Sequence, residues 1–182
     1  TRLLARVRVS LLLLASLLLN PAGWTSELGP AAPKPLYRDP VFDGAADPVV
    51  VWNPHTRRWW MFYTNRRANA PDLSGVTWVH GTRVGIAESA DSGATWRYLG
   101  TAEIELPAEF GGNNVTHWAP DVVMGPDRRW HMFLTVVPGV FADWNHPRDI
   151  MHLTSTDLRR WTQPSKLALA SKLAVQPAIR PQ

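Results

Sequence analysis

The sequence contains no cysteine, which excludes disulfide bonds, thiolate metal sites and a cysteine nucleophile for these 182 residues. It also lacks a run long enough to cross a bilayer: the longest mainly apolar run, Val9–Leu19, has eleven residues, and a helical span needs about 20. The chain also carries little net charge outside its first eight residues. Arg2, Arg6 and Arg8 account for all but +1 of the net charge of +4. A nucleic-acid-binding surface is therefore not expected.

Tryptophan, in contrast, is abundant, with ten residues in the chain. Indole side chains serve large cores, interfaces and flat platforms on which sugar rings stack. With 45% apolar residues, the chain is long enough to bury a core, so one domain or part of one is expected.

The N-terminal segment has the layout of a secretory signal. Three arginines precede the apolar run Val9–Leu19, and Asn20–Gly23 follows it. An apolar core helix is the alternative. We expect residues 1–23 to be a signal peptide, residues 24–36 to be a flexible leader rich in proline and glycine, and the protein to be secreted or periplasmic, with no membrane attachment in its mature form.

An internal repeat organises the rest of the chain. Ala46–Thr64 and Ala119–Thr135 share an Asp/Pro start, an apolar run, a turn and the pattern Arg-Arg-Trp-x-Met-Phe-x-Thr. Each copy therefore predicts a β-hairpin, and Val84–Trp96 and Ile150–Trp161 predict a second hairpin in each. No window from Pro35 to Leu167 shows a helical apolar pattern without interruption by glycine, proline or asparagine. The sequence thus predicts an all-β fold of two four-stranded modules, the size of propeller blades with loop insertions.

Ser89–Trp96 matches the pattern S-x-D-x-G-x-T-W, known as an Asp-box. In this turn the carboxylate accepts backbone hydrogen bonds and glycine supplies a permissive backbone. We therefore expect Asp91 to stabilise a hairpin on the side away from any substrate.

The ordered motifs resemble those of family 43 glycoside hydrolases, which are five-bladed β-propellers acting on polysaccharides. The resemblance rests on Ala46–Pro48, His117–Asp121 and Ser155–Trp161. It implies that residues 37–166 are the first two blades of a glycosidase propeller, present here as an N-terminal fragment. Residues 167–182 lose the strand pattern and are expected to form an irregular, truncated tail.

The same resemblance implies an inverting hydrolysis without a cofactor or a metal ion. Asp47 matches the general base and Asp121 the residue that adjusts the pKa of the acid, although either aspartate could instead be a turn former. The repeat predicts that the two lie at equivalent positions and face one cavity. The general acid would be a glutamate in a third blade, and none follows Glu109. Glu103, Glu105 and Glu109 lie outside the matching position, so the chain itself is expected to be inactive.

Four further residues are candidate substrate contacts. Trp118 flanks Asp121 and could stack on a sugar, with a core position as the alternative. His80 and His146 fall on long loops, where anchoring the loop is the competing role. Asn65 ends a strand beside Arg66, which could bind a hydroxyl-rich or anionic sugar.

Two other functions remain open at this point. A non-catalytic propeller that binds carbohydrate or protein would share the same repeat and tryptophans. A sialidase-like enzyme would need an arginine triad and a tyrosine nucleophile, for which the three tyrosines of the chain offer poor candidates. The expected partner is a carbohydrate.

Overall fold

The computed structural model describes residues 34–70, 72–110, 112 and 114–168. The predicted signal peptide, the predicted leader up to residue 33 and the predicted tail beyond residue 168 lie outside the described residues. All structural statements below concern the described part of the chain.

The first sheet, called blade 1, contains four antiparallel strands in sequence order. They are β1 (Ala46–Asn53), β2 (Arg58–Thr64), β3 (Val84–Ser89) and β4 (Arg97–Thr101). β-Branched and aromatic residues dominate β1 and β2, which suits a pleated and partly buried surface. The two hairpins predicted from the first copy of the repeat are confirmed.

The second sheet, called blade 2, repeats this pattern and adds a short strand at its edge. Its strands are β5 (Glu103–Ile104), β6 (Thr116–Met124), β7 (Trp130–Val137), β8 (Asp149–Ser155) and β9 (Arg160–Lys166). The sheet order is β5-β9-β8-β7-β6, with β5 parallel to β9 and the other pairs antiparallel. The chain therefore leaves blade 1 along the outer edge of blade 2 before forming the inner strand β6.

Helical structure within the described ranges consists of two single turns of 3₁₀ helix, Thr77–Val79 and Ala108–Phe110. The predicted all-β class is confirmed. In the part of the chain that the structure describes, no helix is long and apolar enough to span a membrane.

The main core lies between the two blades. Blade 1 contributes Trp60, Phe62 and Ile86, and blade 2 contributes an inward row that includes Met132 and Leu134. Buried and less buried residues alternate along β7, whereas the central residues of β2 and β3 are buried on both faces of blade 1. The inner strands β1 and β6 lie side by side. Two four-stranded antiparallel units that are consecutive in sequence, adjacent along their inner strands and packed face to face form two neighbouring blades of a β-propeller.

The β3–β4 turn is held by hydrogen bonds to its own backbone. The Asp91 carboxylate accepts bonds from the Thr95 N–H at 2.9 Å and from the Ser89 hydroxyl at 2.7 Å, and the Ser89 hydroxyl accepts the Gly93 N–H at 2.8 Å. Trp96 packs on a small cluster on the outer half of blade 1 that includes Met61. The structure thus places Asp91 and Trp96 on the outer hairpin.

We expect Asp91→Ala to lower the stability of the fold at neutral pH, with a difference from the wild type that shrinks in acid. Hydrogen bonds, chiefly from the Thr95 side chain, lower the pKa of Asp91 from 3.8 to about 2. A depressed pKa adds stability above pH 4, and this stability is lost as the pH falls through 2. Urea unfolding of both proteins at pH 7, 4 and 2 measures the effect. The control, Asp72→Ala, removes an exposed carboxylate; an equal loss there would show that the turn geometry is not the cause.

Candidate functional site

The inner strands of both blades begin with a β-bulge at the same place. In β1 the bulge contains Asp47 and Pro48, and in β6 it contains Ala119 and Pro120. Asp47 and Ala119 have positive φ angles of 47° and 43°, a conformation that costs a residue other than glycine about 1–3 kcal/mol. Such bulges bend a strand and redirect side chains, often next to functional sites.

The strand pairing corrects the predicted equivalence of Asp47 and Asp121, which is wrong. Asp121 pairs with Phe133 as Val49 pairs with Phe62, so Asp121 corresponds to Val49, two positions beyond the bulge. The reason is the order of aspartate and proline, which is reversed between the two copies. The first copy has Asp-Pro and the second has Pro-Asp, so aligning the acids misaligns the strands.

Asp121 also points away from blade 1. Its neighbour Val122 is buried in the core between the blades, whereas Asp121 is exposed. Successive residues of a strand face opposite sides of a sheet, so the carboxylate of Asp121 lies on the far face of blade 2. The structure therefore does not bring Asp121 to Asp47.

A cavity of about 410 Å³ opens where the two bulges meet. This volume is within the usual range of small-molecule sites. The chemically distinctive side chains of its wall are three indoles, two guanidinium groups and one carboxylate: Trp78, Trp118, Trp144, Arg66, Arg148 and Asp47. Two of the predicted site residues, Asp47 and Trp118, are thus brought together here.

Thr64 connects the two bulges across the blades. Its hydroxyl accepts the Ala119 N–H at 2.8 Å and donates to Asp47 Oδ2 at 3.2 Å, and the residue is only 3% exposed. Asp47 is itself exposed. One carboxylate oxygen is therefore held by the protein, and Oδ1 is left to accept a hydrogen bond from a ligand or water.

Replacing Thr64 by valine should lower the free energy of unfolding by about 1–3 kcal/mol, because the partly buried hydrogen bond from the Ala119 N–H to the Thr64 hydroxyl is lost with little change in side-chain volume. Chemical denaturation measures this difference. The matched control is Thr135→Val at the same position of blade 2, where the hydroxyl has no hydrogen bond among the described residues. Equal losses in the two variants would contradict the bridging role of Thr64.

Trp118 is held from behind by two histidines. The Trp118 Nε1–H donates to the Val79 carbonyl at 2.7 Å, and its ring centroid lies 4.8 Å from that of His80 and 5.5 Å from that of His146. Both histidines are buried, with their Nε2 atoms 3.2 Å apart. The structure therefore places His80 and His146 behind the indole and not on the cavity wall, which supports the anchoring alternative over substrate contact.

Trp144 forms the outer wall of the cavity. It is 54% exposed, its ring centroid lies 5.8 Å from that of Trp118, and its carbonyl accepts a bond of 2.6 Å from Arg148 Nη2. Trp78, Trp144 and Arg148 were not among the predicted site residues. Trp78 lies on the β2–β3 loop, and Trp144 and Arg148 lie on the β7–β8 loop. The one sequence signal for this part of the site was the presence of a tryptophan in each of two long loops.

Asn65, Arg66 and Arg67 divide into different roles after β2. Asn65 is buried and does not line the cavity, so its placement does not support the predicted substrate contact. Arg67 donates to the carbonyls of Thr77 at 3.3 Å and Gly81 at 3.1 Å, which fastens the β2–β3 loop. Arg66 alone of the three reaches the cavity.

Asp47 is the sole carboxylate on the described cavity wall. Glu103, Glu105 and Glu109, the last glutamates of the chain, lie on or after β5 and are exposed. Among the described residues, no group of three or more histidine and acidic side chains is arranged to hold a metal ion. The cavity can therefore supply one base, aromatic surfaces and two fixed cations.

A second, smaller cavity of about 210 Å³ lies beside His117. Its wall combines the apolar side chains of Leu106, Phe110 and Val115 with the polar side chains of Arg83 and His117. Burial lowers the pKa of His117 to about 4, which keeps the ring neutral at pH 7. This cavity has no acidic group on its described wall and offers less chemistry than the one at the bulges.

Comparisons with known proteins give similarities of fold. No family model matches the sequence, and no curated protein matches it. Among solved structures, an N-acetylgalactosamine deacetylase from F. plautii in complex with blood group B trisaccharide is 20% identical (TM-score 0.48; 65% of this chain, 29% of that one). A family 43 β-1,3-galactosidase with galactodeoxynojirimycin is 17% identical (TM-score 0.49; 74% and 38%).

An α-L-arabinanase from Penicillium chrysogenum complexed with arabinobiose is 14% identical (TM-score 0.43; 71% of this chain, 35% of that one). The chain spans less than two fifths of the length of each of these three structures. All three are structures of carbohydrate-active proteins, to parts of which this chain is similar.

Proposed function

We propose that this protein acts on oligosaccharides or polysaccharides as a glycoside hydrolase and binds the sugar in the cavity at the two bulges. The observation that carries the proposal is one exposed carboxylate at the edge of a cavity walled by three indoles. Indole rings present flat apolar faces to the C–H groups of a sugar ring, while a carboxylate accepts hydrogen bonds from hydroxyl groups or water.

In this proposal Asp47 is the general base. Thr64 donates to Asp47 Oδ2, so Oδ1 is available to take a proton from a water molecule as the water oxygen attacks the anomeric carbon. The bond to the leaving group breaks on the opposite face of the ring, which inverts the anomeric configuration. Natural leaving groups also need a proton from an acid, and the described cavity wall offers no second carboxylate. Asp121 is not assigned a role here because it lies on the far face of blade 2.

Glycosyl fluorides test this proposal directly, because fluoride departs with the bonding electron pair and needs no proton. The 182-residue chain should release fluoride from a glycosyl fluoride of matching sugar and configuration, and proton NMR should show the inverted anomer as the first product. Arabinan, xylan and galactan should not be hydrolysed by this chain. If no glycosyl fluoride of an α and β pentose and hexose panel is turned over, the hydrolase proposal fails.

The second candidate is a non-catalytic carbohydrate-binding propeller. It is favoured by the single carboxylate of the described cavity wall, since inverting hydrolysis uses two. Binding of an oligosaccharide in the cavity, measured by calorimetry, without turnover of its glycosyl fluoride would identify this function.

We also propose that the protein is exported. Support comes from the arginines and the apolar run within residues 1–23. N-terminal sequencing of the protein recovered outside the producing cell should place the first residue after position 22 or 23, and recovery of an uncleaved chain inside the cell would contradict export.

A further inference from the structure

The cavity wall carries more positive than negative charge. Arg66 and Arg148 line it together with Asp47, and neither arginine forms an ion pair within the described part of the chain. The hydrogen-bond donor to Asp47 is the Thr64 hydroxyl and not a guanidinium group. The described wall therefore carries two guanidinium groups and one carboxylate, a net charge of +1, and neither guanidinium group is paired with an acid among the described residues.

Arg66 is fixed in place before any ligand arrives. A Cβ atom at Gly44 would lie 2.3 Å from the Arg66 carbonyl oxygen and 2.5 Å from its Cγ, so the absence of a side chain at residue 44 lets the arginine seat closely. The Arg66 guanidinium carbon lies 5.5 Å from the centroid of the Trp78 ring, within cation–π range. Arg66 Nε is buried and has no hydrogen-bond partner among the described residues. A guanidinium group that is already held in one position loses less side-chain entropy on binding an anion than a mobile one does.

Arg148 is attached on the other side of the cavity. One of its terminal nitrogens, Nη2, donates to the Trp144 carbonyl, and the remaining donors of the planar guanidinium group are available to a ligand. The pKa of His80, behind Trp118, is lowered chiefly by burial, with smaller contributions from His146, Arg67 and Arg148.

We propose that the sugar bound in this cavity carries an anionic group, a carboxylate or a sulfate, held by Arg66 and Arg148. The inference rests on the proposed carbohydrate site and adds its substrate class. Guanidinium groups match the planar or trigonal oxygens of such anions with paired hydrogen bonds, and they remain charged at all physiological pH values. A neutral glycan would leave both guanidinium groups without a charged partner in the cavity.

The test uses pairs of ligands that differ in charge alone. Calorimetry on the full chain compares trigalacturonic acid with its methyl ester, and a galactose-4-sulfate disaccharide with its desulfated form. We expect at least one acidic member to bind ten or more times more tightly than its neutral partner at 50 mM salt, and this ratio should fall as salt is raised. The pair that shows the preference identifies the anion as a carboxylate or a sulfate.

Arg66→Gln and Arg148→Gln should each weaken binding of the acidic ligand more than binding of its neutral partner, so that the preference for the acidic ligand falls to less than threefold. Arg160→Gln, an exposed arginine on β9, is the matched control and should change neither affinity. Thermal unfolding checks that the variants remain folded, and Arg66→Lys keeps the charge while it removes the paired geometry.

Equal binding of acidic and neutral ligands by the wild type would overturn the anionic inference and leave the carbohydrate site intact. A preference that survives in both glutamine variants would overturn it as well. Absence of binding by every glycan, acidic or neutral, would overturn the proposed function and this inference together.

Discussion

Replacing Asp47 by asparagine should lower kcat/KM for a glycosyl fluoride substrate by about 10²–10⁴-fold, the usual contribution of a positioned general base. The amide is nearly the same size as the carboxylate and can keep the hydrogen bond from Thr64, but it cannot take a proton from water. The decrease should appear mainly in kcat, because the indoles and arginines that surround the sugar are unchanged. Steady-state fluoride release measures both parameters.

Two controls sharpen this result. Asp121→Asn removes an exposed carboxylate on the far face of blade 2 and should leave fluoride release within twofold of the wild type. Added azide, an anionic nucleophile that needs no deprotonation, should restore fluoride release to Asp47→Asn and yield the inverted glycosyl azide. Equal losses in the two asparagine variants would contradict the assignment of the base to Asp47.

Replacing Trp144 by alanine should weaken oligosaccharide binding by about 10–100-fold, which corresponds to roughly 1.4–2.8 kcal/mol. Tryptophans that contact a ligand often contribute this much when they are truncated. Because Trp144 is more than half exposed and outside the core, the free energy of unfolding should change little. Calorimetric titration of wild type and variant with the same oligosaccharide measures the affinity change.

The matched control for Trp144 is Trp52. Trp52 is 43% exposed and forms an edge-to-face pair with Trp59, with ring centroids 5.3 Å apart, on strands β1 and β2. It does not line the cavity. Trp52→Ala should leave the affinity unchanged, and a loss there instead of at Trp144 would place the sugar on the opposite face of blade 1.

The strands and hairpins could be predicted because their signals are local. The apolar run of β1, the returning Trp-x-Met-Phe strand and the Ser-x-Asp turns each specify structure within a few residues. Register at a bulge is different, since two residues of one strand stand opposite a single residue of its partner. The sequence therefore predicted that Asp47 faces a cavity, and the structure places it on one. Asp121 was aligned with Asp47, two positions before its structural equivalent Val49.

The remainder of the site could not be predicted because it comes from loops that meet only in the folded chain. Trp78 precedes β3 and Trp144 precedes β8, 66 residues further along. Neither belongs to a periodic pattern, and periodicity is the signal on which sequence interpretation depends. The burial of His80 and His146 behind Trp118 likewise follows from tertiary packing, which their positions in long loops do not reveal.

A crystal structure of the 182-residue chain with a bound oligosaccharide tests the central claim most directly. Our account predicts a sugar ring packed against Trp118 and Trp144, with its anomeric carbon facing the Oδ1 atom of Asp47 across one water molecule. A sugar bound elsewhere, such as on the exposed Trp52–Trp59 pair, with the cavity at the bulges empty, would contradict it.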